Sequence, residues 1–509
     1  MRRSRRARHE APPANDAARP GASGGAYRPL SDHDVARIHR ATLDVLEHTG
    51  MGDPIPILRE HALAKGCRID QHGRLCFPHA LVEDTISHAG RDLVFHGRDP
   101  RHDLDLSDQR VHTYGGGEAV SVLDIGESRY RASTLTDVYD FGRLVDQLDN
   151  IHGFARLLVA TEIEDLRVCD INTAYASVAA TTKHTALTFA DATHIQPTLE
   201  MLQLVAGGEK RFADRPFCHG GGCPVISPLR YGRHNSEVCV EATKFGAPVW
   251  TVVAPQAGAT APAALAGTLV QVMAEALASL LLIDLVHPGH PVIVGPWPFV
   301  ADLRTGGFSG GGGEEAILNA AAAQLLNAYG LTSSVSAGMT DSKLPDNQAG
   351  YEKGITVALA ALAGGNNVSE SAGMLGSLMG GSLESLVIDD EMLGQVMRTV
   401  RGIEVTDETL SLEVIHEVVH GEGHYLRHPQ TLELMRSEYL YPKLADRSSP
   451  EDWQSAGSPD IRQRAGERVK ALLSDHYPEY IDLATDKLIR ERFPIRLAPE
   501  DMRPGNGRW

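Results

Sequence analysis

From about residue 110 to residue 402 the chain alternates short β-rich runs with helical stretches, and this rhythm restricts the folds open to it. The candidate strands are VHTYG (111–115), GFARLLVA (153–160), TALTFA (185–190), FCHGG (217–221), PVWTVVA (248–254), PVIVG (291–295), TSSVSAG (332–338) and NNVSES (366–371). Between them lie helical stretches such as LTDVYDFGRLVDQL, TLEMLQLVAG and EEAILNAAAAQLLNAYG, several ending in the glycine that favours a helix C-terminus. Strands alternating with helices imply a parallel sheet. Eight such units predict an α/β fold, a (β/α)8 TIM barrel with an N-terminal cap and a C-terminal helical extension. An open doubly wound sheet is the alternative, but no good G-x-G-x-x-G phosphate loop follows the first strand.

The predicted boundaries follow composition. Residues 1–26 read as a disordered tail: MRRSRRARHE, then a stretch rich in Pro, Ala and Gly. No apolar segment follows, so this is not a secretory signal, and an Arg-rich transit peptide is the other reading. Residues 27–109 form the cap, opening on a helix with Ser31 or Asp32 as N-cap and Gly50 as its stop. Residues 110–402 are the barrel, and the charged, helical residues 403–509 are the extension.

A net charge of −18 argues against a nucleic-acid partner. Six scattered cysteines (67, 76, 169, 218, 223 and 239) form no disulfide framework, which predicts a reducing, cytoplasmic setting. The most apolar segment, residues 261–289, is interrupted by Gln271, Glu275 and Asp284. It is expected to be a buried helix rather than a membrane span, and to offer a surface for a homo-oligomer.

One motif competes with this picture. HEVVH, His416 to His420, matches the H-E-x-x-H signature of zinc peptidases. That chemistry needs both histidines on one continuous helix face and a third ligand. Gly421 and Gly423 follow at once, and the third-ligand position of the longer motif is Leu426. A helix end with histidines near its negative pole is the expected role.

In a barrel, the active site lies at the C-terminal ends of the strands. Those ends offer Tyr114 and Glu118, then Trp297, Phe299 and Asp302, then Lys343, then Glu370. They offer no Ser–His pair, phosphate loop or metal cluster, so no metal is expected and no catalytic acid, base or nucleophile is assigned. Aromatic faces with carboxylates suit a quaternary ammonium cation, at about 0.5–2 kcal/mol per ring.

Residues 217–400 resemble the trimethylamine methyltransferase family through SPLRY (227–231), LVHPGHPVIVG (285–295), DLRTGG (302–307), TDSKLPDNQAGYEKG (340–354), ALAGGNNVSESAGML (361–375) and LVIDDE (386–391). The resemblance implies a TIM barrel and transfer of a methyl group from a methylated amine to the Co(I) of a corrinoid on a partner protein. Some family members use pyrrolysine near the seventh strand, whereas SSVSAGMTDSKLPD holds only standard residues. That departure points to a donor already carrying a positive charge, such as glycine betaine or carnitine, whose demethylation releases a neutral tertiary amine. Arg304 or Lys343 is the expected partner of its carboxylate. No D-x-H-x-x-G cobalt-ligating stretch is present, so a corrinoid would arrive on the partner; a folate acceptor is the other possibility. A non-catalytic amine-binding protein, or a methyltransferase for trimethylamine or another methylamine, is the rival reading.

Overall fold

Strands and helices alternate along residues 110–401 of the computed structural model, which describes residues 17–509. The series runs β1 (Arg110–Thr113), α1 (Leu135–Asp146), β2 (Phe154–Ala155), α2 (Leu166–Ala180), β3 (Thr185–Thr188), α3 (Ile195–Ala206), β4 (Cys218–Gly222) and α4 (Arg233–Ala242). It continues through β5 (Val249–Val253), α5 (Leu265–Val286), β6 (Val292–Pro296), α6 (Gly313–Tyr329), β7 (Ser334–Ser336), α7 (Asn347–Leu362), β8 (Asn367–Ser369) and α8 (Leu383–Arg401). Shorter strands and turns intervene. Each strand overlaps a run predicted from sequence. The second is much shorter than its run, because Leu158 leaves the ladder and bridges Ala119 instead.

The protein is therefore mixed α/β with parallel strands. Strands β2 to β6 pair in parallel in chain order, with registers such as Ala186 opposite His219 and Trp250 opposite Ile293. Strand β8 pairs in parallel with both β7 and β1. Isolated parallel bridges join Tyr114 to Gly153 and Val294 to Ser333.

The helices form for local reasons that the sequence carries. Helix α1 starts on a reciprocal capping box between Thr134 and Asp137. Helices α3 and α6 end on left-handed Gly207 and Gly330. Helix α5 is long and apolar enough to cross a membrane, but 83% of its most apolar window is buried inside this chain. It therefore needs no second subunit to cover it, contrary to its expected role as an oligomer surface. Its buried Glu275 accepts hydrogen bonds from Ser227 Oγ (2.6 Å), the Leu229 amide (2.8 Å) and Gln271 (2.9 Å).

Residues 17–26 differ from the expected tail; the rest of that tail, residues 1–16, lies outside the described residues. Ala17 is fully buried, and Ala22–Ser23 pairs antiparallel with β1 at Val111 and Arg110. In the cap, Ser31 caps the helix Asp32–Asp44, whose last turn widens into a π turn before Gly50 stops it at φ +63°. Later in the cap, strands Val94–Phe95 and Leu104–Asp105 form an antiparallel pair. Phe95 from this pair packs with Tyr114, Trp250, Ile293 and Trp297. In the C-terminal region, the helix Ile461–Asp475 buries Ala465, Val469 and Leu473, and Arg143 of α1 donates to Leu473 O at 2.6 Å.

Candidate active site

A cavity of about 450 Å³ lies at the C-terminal ends of the parallel strands. Strand alternation places Trp250, Val252 and Ala254 on one face of β5 and its extension, and all three line the cavity. Trp297 and Phe299, just beyond β6, extend this wall. Ring centroids lie 5.4 Å apart for Trp250–Trp297 and 6.3 Å apart for Trp297–Phe299.

Two carboxylates face this wall from the loops after β1 and β8. Glu118 accepts from Arg156 at 3.0 Å and from the Thr188 hydroxyl. Burial works to raise its carboxyl, but the Arg156 guanidinium and the two hydrogen bonds outweigh that and hold it below its usual value. Glu370 has no such neighbours. It is buried, and its Oε2 has no hydrogen-bond partner among the described residues. Burial, with the Glu118 charge adding to it, pushes its carboxyl up to about 8. One site thus holds an anionic carboxylate and a carboxyl that is neutral near pH 7.

Both acids sit on left-handed backbone, at φ +52° for Glu118 and +62° for Glu370. Such conformations are costly for non-glycine residues and concentrate at functional sites. The glycine run before Glu118 allows the close approach. A Cβ on Gly117 would lie 2.8 Å from Glu370 Oε2 and 2.6 Å from Met374 Cε, and its φ is +126°. Cys223 borders the same cavity with its side chain exposed to solvent, and the protein crowding its sulfur and the two carboxylates push its thiol up. It is a neutral thiol, not an activated nucleophile.

Residues 1–496 match the family model described as Trimethylamine methyltransferase (MTTB). The chain belongs to this family. It is a methyltransferase. A Desulfitobacterium hafniense (strain DSM 10664 / DCB-2) protein named trimethylamine methyltransferase MttB is 35% identical over 451 residues, which cover 88% of this chain and 90% of its own. A Methanosarcina barkeri protein of the same name is 32% identical over 462 residues, covering 88% and 91%. A D. hafniense (strain Y51) protein named glycine betaine methyltransferase is 28% identical over 460 residues, covering 90% and 95%.

The structure divides the residues predicted for the site. Glu118, Trp297, Phe299 and Glu370 line one cavity. Tyr114 lies behind the wall in the same apolar cluster, buried, with no hydrogen-bond partner for its hydroxyl among the described residues. Asp302, Arg304 and Lys343 do not line the cavity. Asp302 and Arg304 close an ion pair on each other (2.9 Å) in a surface turn, with the Arg304 side chain 88% exposed. Lys343 is exposed and donates to Asp341 O at 2.6 Å. These three belong to turns held by their own hydrogen bonds, so the expected carboxylate partner is not among them.

Trp250, Arg156 and Thr188 line the cavity but were not among the predicted residues. Trp250 and Thr188 lie within strands, and a reading confined to strand ends passes over them. The in–out alternation of PVWTVVA was the available signal for Trp250. Other family motifs serve the frame. SPLRY docks on Glu275, and its Tyr231 hydroxyl donates to Ala278 O at 2.9 Å. Lys353 of α7 and Asp389 of α8 form a buried ion pair at 2.6 Å, and Asp389 also accepts from the Gly373 amide at 2.7 Å. That pins the loop carrying Glu370.

HEVVH lies on the helix Leu412–His420, which ends at Gly421. The His416 and His420 rings are 4.3 Å apart, and His420 Nδ1 lies 2.8 Å from His416 O. Glu417 approaches His428 instead, at 3.4 Å. Among the described residues no group of three or more His, Cys, Asp or Glu is placed to hold a metal ion.

Proposed function

We propose that this methyltransferase takes a methyl group from a quaternary trimethylammonium compound, such as a betaine, and passes it to a corrinoid carried by a partner protein. The observation that carries the reading is the single cavity combining Trp250, Trp297 and Phe299 with Glu118 and Glu370. Ring faces and a carboxylate attract a cation without donating a proton to it, which suits a permanently charged nitrogen. Arg156 borders the cavity, and its Nε has no partner among the described residues, so it takes the role of meeting a substrate carboxylate.

As the methyl group departs, the bond electrons return to nitrogen and the amine becomes neutral. The acids therefore hold the substrate more strongly than the transition state, and rate must come from aiming one methyl and excluding water. Glu370 can follow the charge, ionised beside the cation and protonated once nitrogen is neutral. A corrinoid Co(I) would supply the nucleophile that accepts the methyl group. Its fit rests on the cavity's lining, where Leu166, 60% exposed, offers apolar surface to a broad macrocycle.

We read the parallel strands as a closed (β/α)8 barrel. The Tyr114–Gly153 and Val294–Ser333 bridges support closure, since they link β1 to β2 and β6 to β7. In this reading residues 27–109 are the cap and 403–509 the C-terminal extension. The six free cysteines support a cytoplasmic setting.

The test is mass spectrometry of glycine betaine, carnitine, choline and trimethylamine, each incubated with enzyme and reduced cobalamin. The expected result is a product about 14 Da lighter from at least one quaternary donor, because a methyl cation leaves and the released tertiary amine takes up a proton from water. Demethylation of trimethylamine alone would overturn the donor.

A further inference from the structure

Asp341 lies in the loop after β7, yet its carboxylate serves the loops on either side. Oδ2 accepts from Ser309 Oγ at 3.0 Å and Oδ1 from the Gly310 amide at 2.8 Å, both in the loop after β6. Oδ1 also accepts from the Ser377 hydroxyl, in the loop after β8. The loop that carries Asp341 is itself fixed, because the Asp341 amide donates to Glu352 of α7 at 2.9 Å. Hydrogen bonds to a carboxylate are among the stronger ones, so this one side chain couples three loops at the C-terminal ends of the strands.

Both of the joined loops form walls of the cavity. The first is a hairpin, with Phe299–Ala301 antiparallel to Phe308–Ser309. Phe299 lines the cavity, and Phe308 packs on it with ring centroids 4.9 Å apart. The second is a tight turn in which Gly376, Ser377 and Leu378 all take left-handed backbone, at φ +58°, +57° and +69°. Its Leu378 lines the cavity. Ser377 and Leu378 are not glycine, so this conformation costs energy and lasts only where contacts hold it. The contacts come from Asp341's own loop: the Gly376 amide donates to Ser342 O at 2.7 Å and the Ser377 amide to Thr340 O at 2.8 Å.

The hairpin runs into α6 through Gly312 and Gly313. Gly312 has φ −72°, which any residue adopts, and a Cβ there would meet only Glu314 Oε2, at 3.4 Å. A Cβ on Gly313 would meet nothing within 4 Å among the described residues. Glycine loses more freedom on folding than other residues, and in this conformation neither position gains from it. Both suit a hinge that lets the hairpin take a second position.

We propose that Asp341 is a positioning residue: its carboxylate clasps hairpin 299–309 to turn 376–378 as a two-part lid over the cavity, and the hairpin swings at Gly312–Gly313 to admit the donor. The closed lid keeps water from the donor while its methyl group is aimed. The identity of what passes beneath the lid rests on the donor proposed above; the clasp does not.

The first measurement therefore uses no donor. In native-state hydrogen exchange of the wild type, peptides spanning 308–311 and 376–379 are expected to open together, with protection within about tenfold of each other; a larger difference overturns the proposal. In Asp341→Ala both peptides are expected to lose protection at least about tenfold while Leu135–Asp146 is unchanged, and loss in one loop alone overturns it. The wild-type comparison stands even where the variant does not fold. The second measurement follows glycine betaine by stopped-flow fluorescence of Trp250 and Trp297, which line the cavity. Asp341→Ala is expected to speed both entry and release at least about threefold, with a smaller change in their ratio. Faster release with unchanged entry is what a damaged wall gives, and it overturns the lid. Asp341→Asn, which can still accept from the Gly310 amide, is expected to show smaller changes in both measurements. A wild type that binds no betaine would sink the donor reading, and the exchange results then decide the clasp alone.

Discussion

Glu370→Gln tests the active-site reading most directly, because it removes a charge and keeps the shape. The wild-type carboxyl, lifted by burial and by Glu118 to about 8, is mostly protonated in the free enzyme at pH 7. A trimethylammonium seated about 5 Å away would interact with the ionised form by about 3 kcal/mol at an effective dielectric of 20. Ionising the carboxyl one unit below its pKa takes back about 1.4 kcal/mol. The remainder, about 2 kcal/mol, corresponds to a roughly 30-fold change in Kd. Titration calorimetry with a betaine from pH 6 to 9 reads this. Wild-type affinity is expected to rise by up to about tenfold per unit below pH 8 and to level off above it, with a proton released on binding. The Gln variant is expected to bind about 30-fold more weakly at pH 7 and about 150-fold more weakly above pH 8, with a flat pH profile. Stability moves the other way. A folded-state pKa raised from 4.5 to about 8 contributes stability that is complete below 4.5 and is lost as pH rises through 8. The variant should therefore lose less stability than the wild type over that window. Equal affinities and equal pH slopes in the two proteins would refute the reasoning.

Three other perturbations separate binding from framework. Gly117→Ala forces a methyl group to within 2.8 Å of Glu370 Oε2 from a backbone at φ +126°, and is expected to lower stability by about 1–3 kcal/mol in thermal melts and to weaken betaine binding. Arg156→Gln removes the cavity's guanidinium and is expected to weaken glycine betaine more than choline, which has no carboxylate, in parallel calorimetric titrations. Lys353→Met leaves Asp389 buried without its ion-pair partner and is expected to cost about 3–5 kcal/mol in urea denaturation, with the double variant Lys353→Met/Asp389→Leu recovering part of it.

The order of elements was legible because it rests on local signals. Runs such as PVIVG and TALTFA are too short and too β-branched for helices, and the glycines at 207 and 330 close the helices before the next strand. What was not legible was long-range. The pairing of Ala22–Ser23 with β1 depends on a strand nearly ninety residues later, so a Pro- and Gly-rich stretch read locally as a tail. The apolar surface of α5 matched an oligomer contact equally well until the cap and strands were seen to enclose it.

The site divides along the same line. Trp297, Phe299, Glu118 and Glu370 share one cavity because they follow strands closely, where the chain has little freedom to turn away. Asp302 and Arg304 lie only a few residues further, but an aspartate two positions before an arginine can satisfy both charges within one turn, and here it does. Proximity to a strand end is therefore a weaker predictor for charged residues than for aromatic ones. A charge can be neutralised locally, whereas an aromatic ring must find apolar cover, and next to a parallel sheet that cover is the wall of the central cavity. The same distinction explains why Glu370 stands apart. It is a carboxyl group like Asp302 but has, among the described residues, neither a local guanidinium nor a hydrogen-bond donor for Oε2, and it occupies strained backbone in a buried place. A fold keeps such a group when something outside the chain completes its surroundings, and under the function proposed above a cation does so in a cavity walled by tryptophan and phenylalanine.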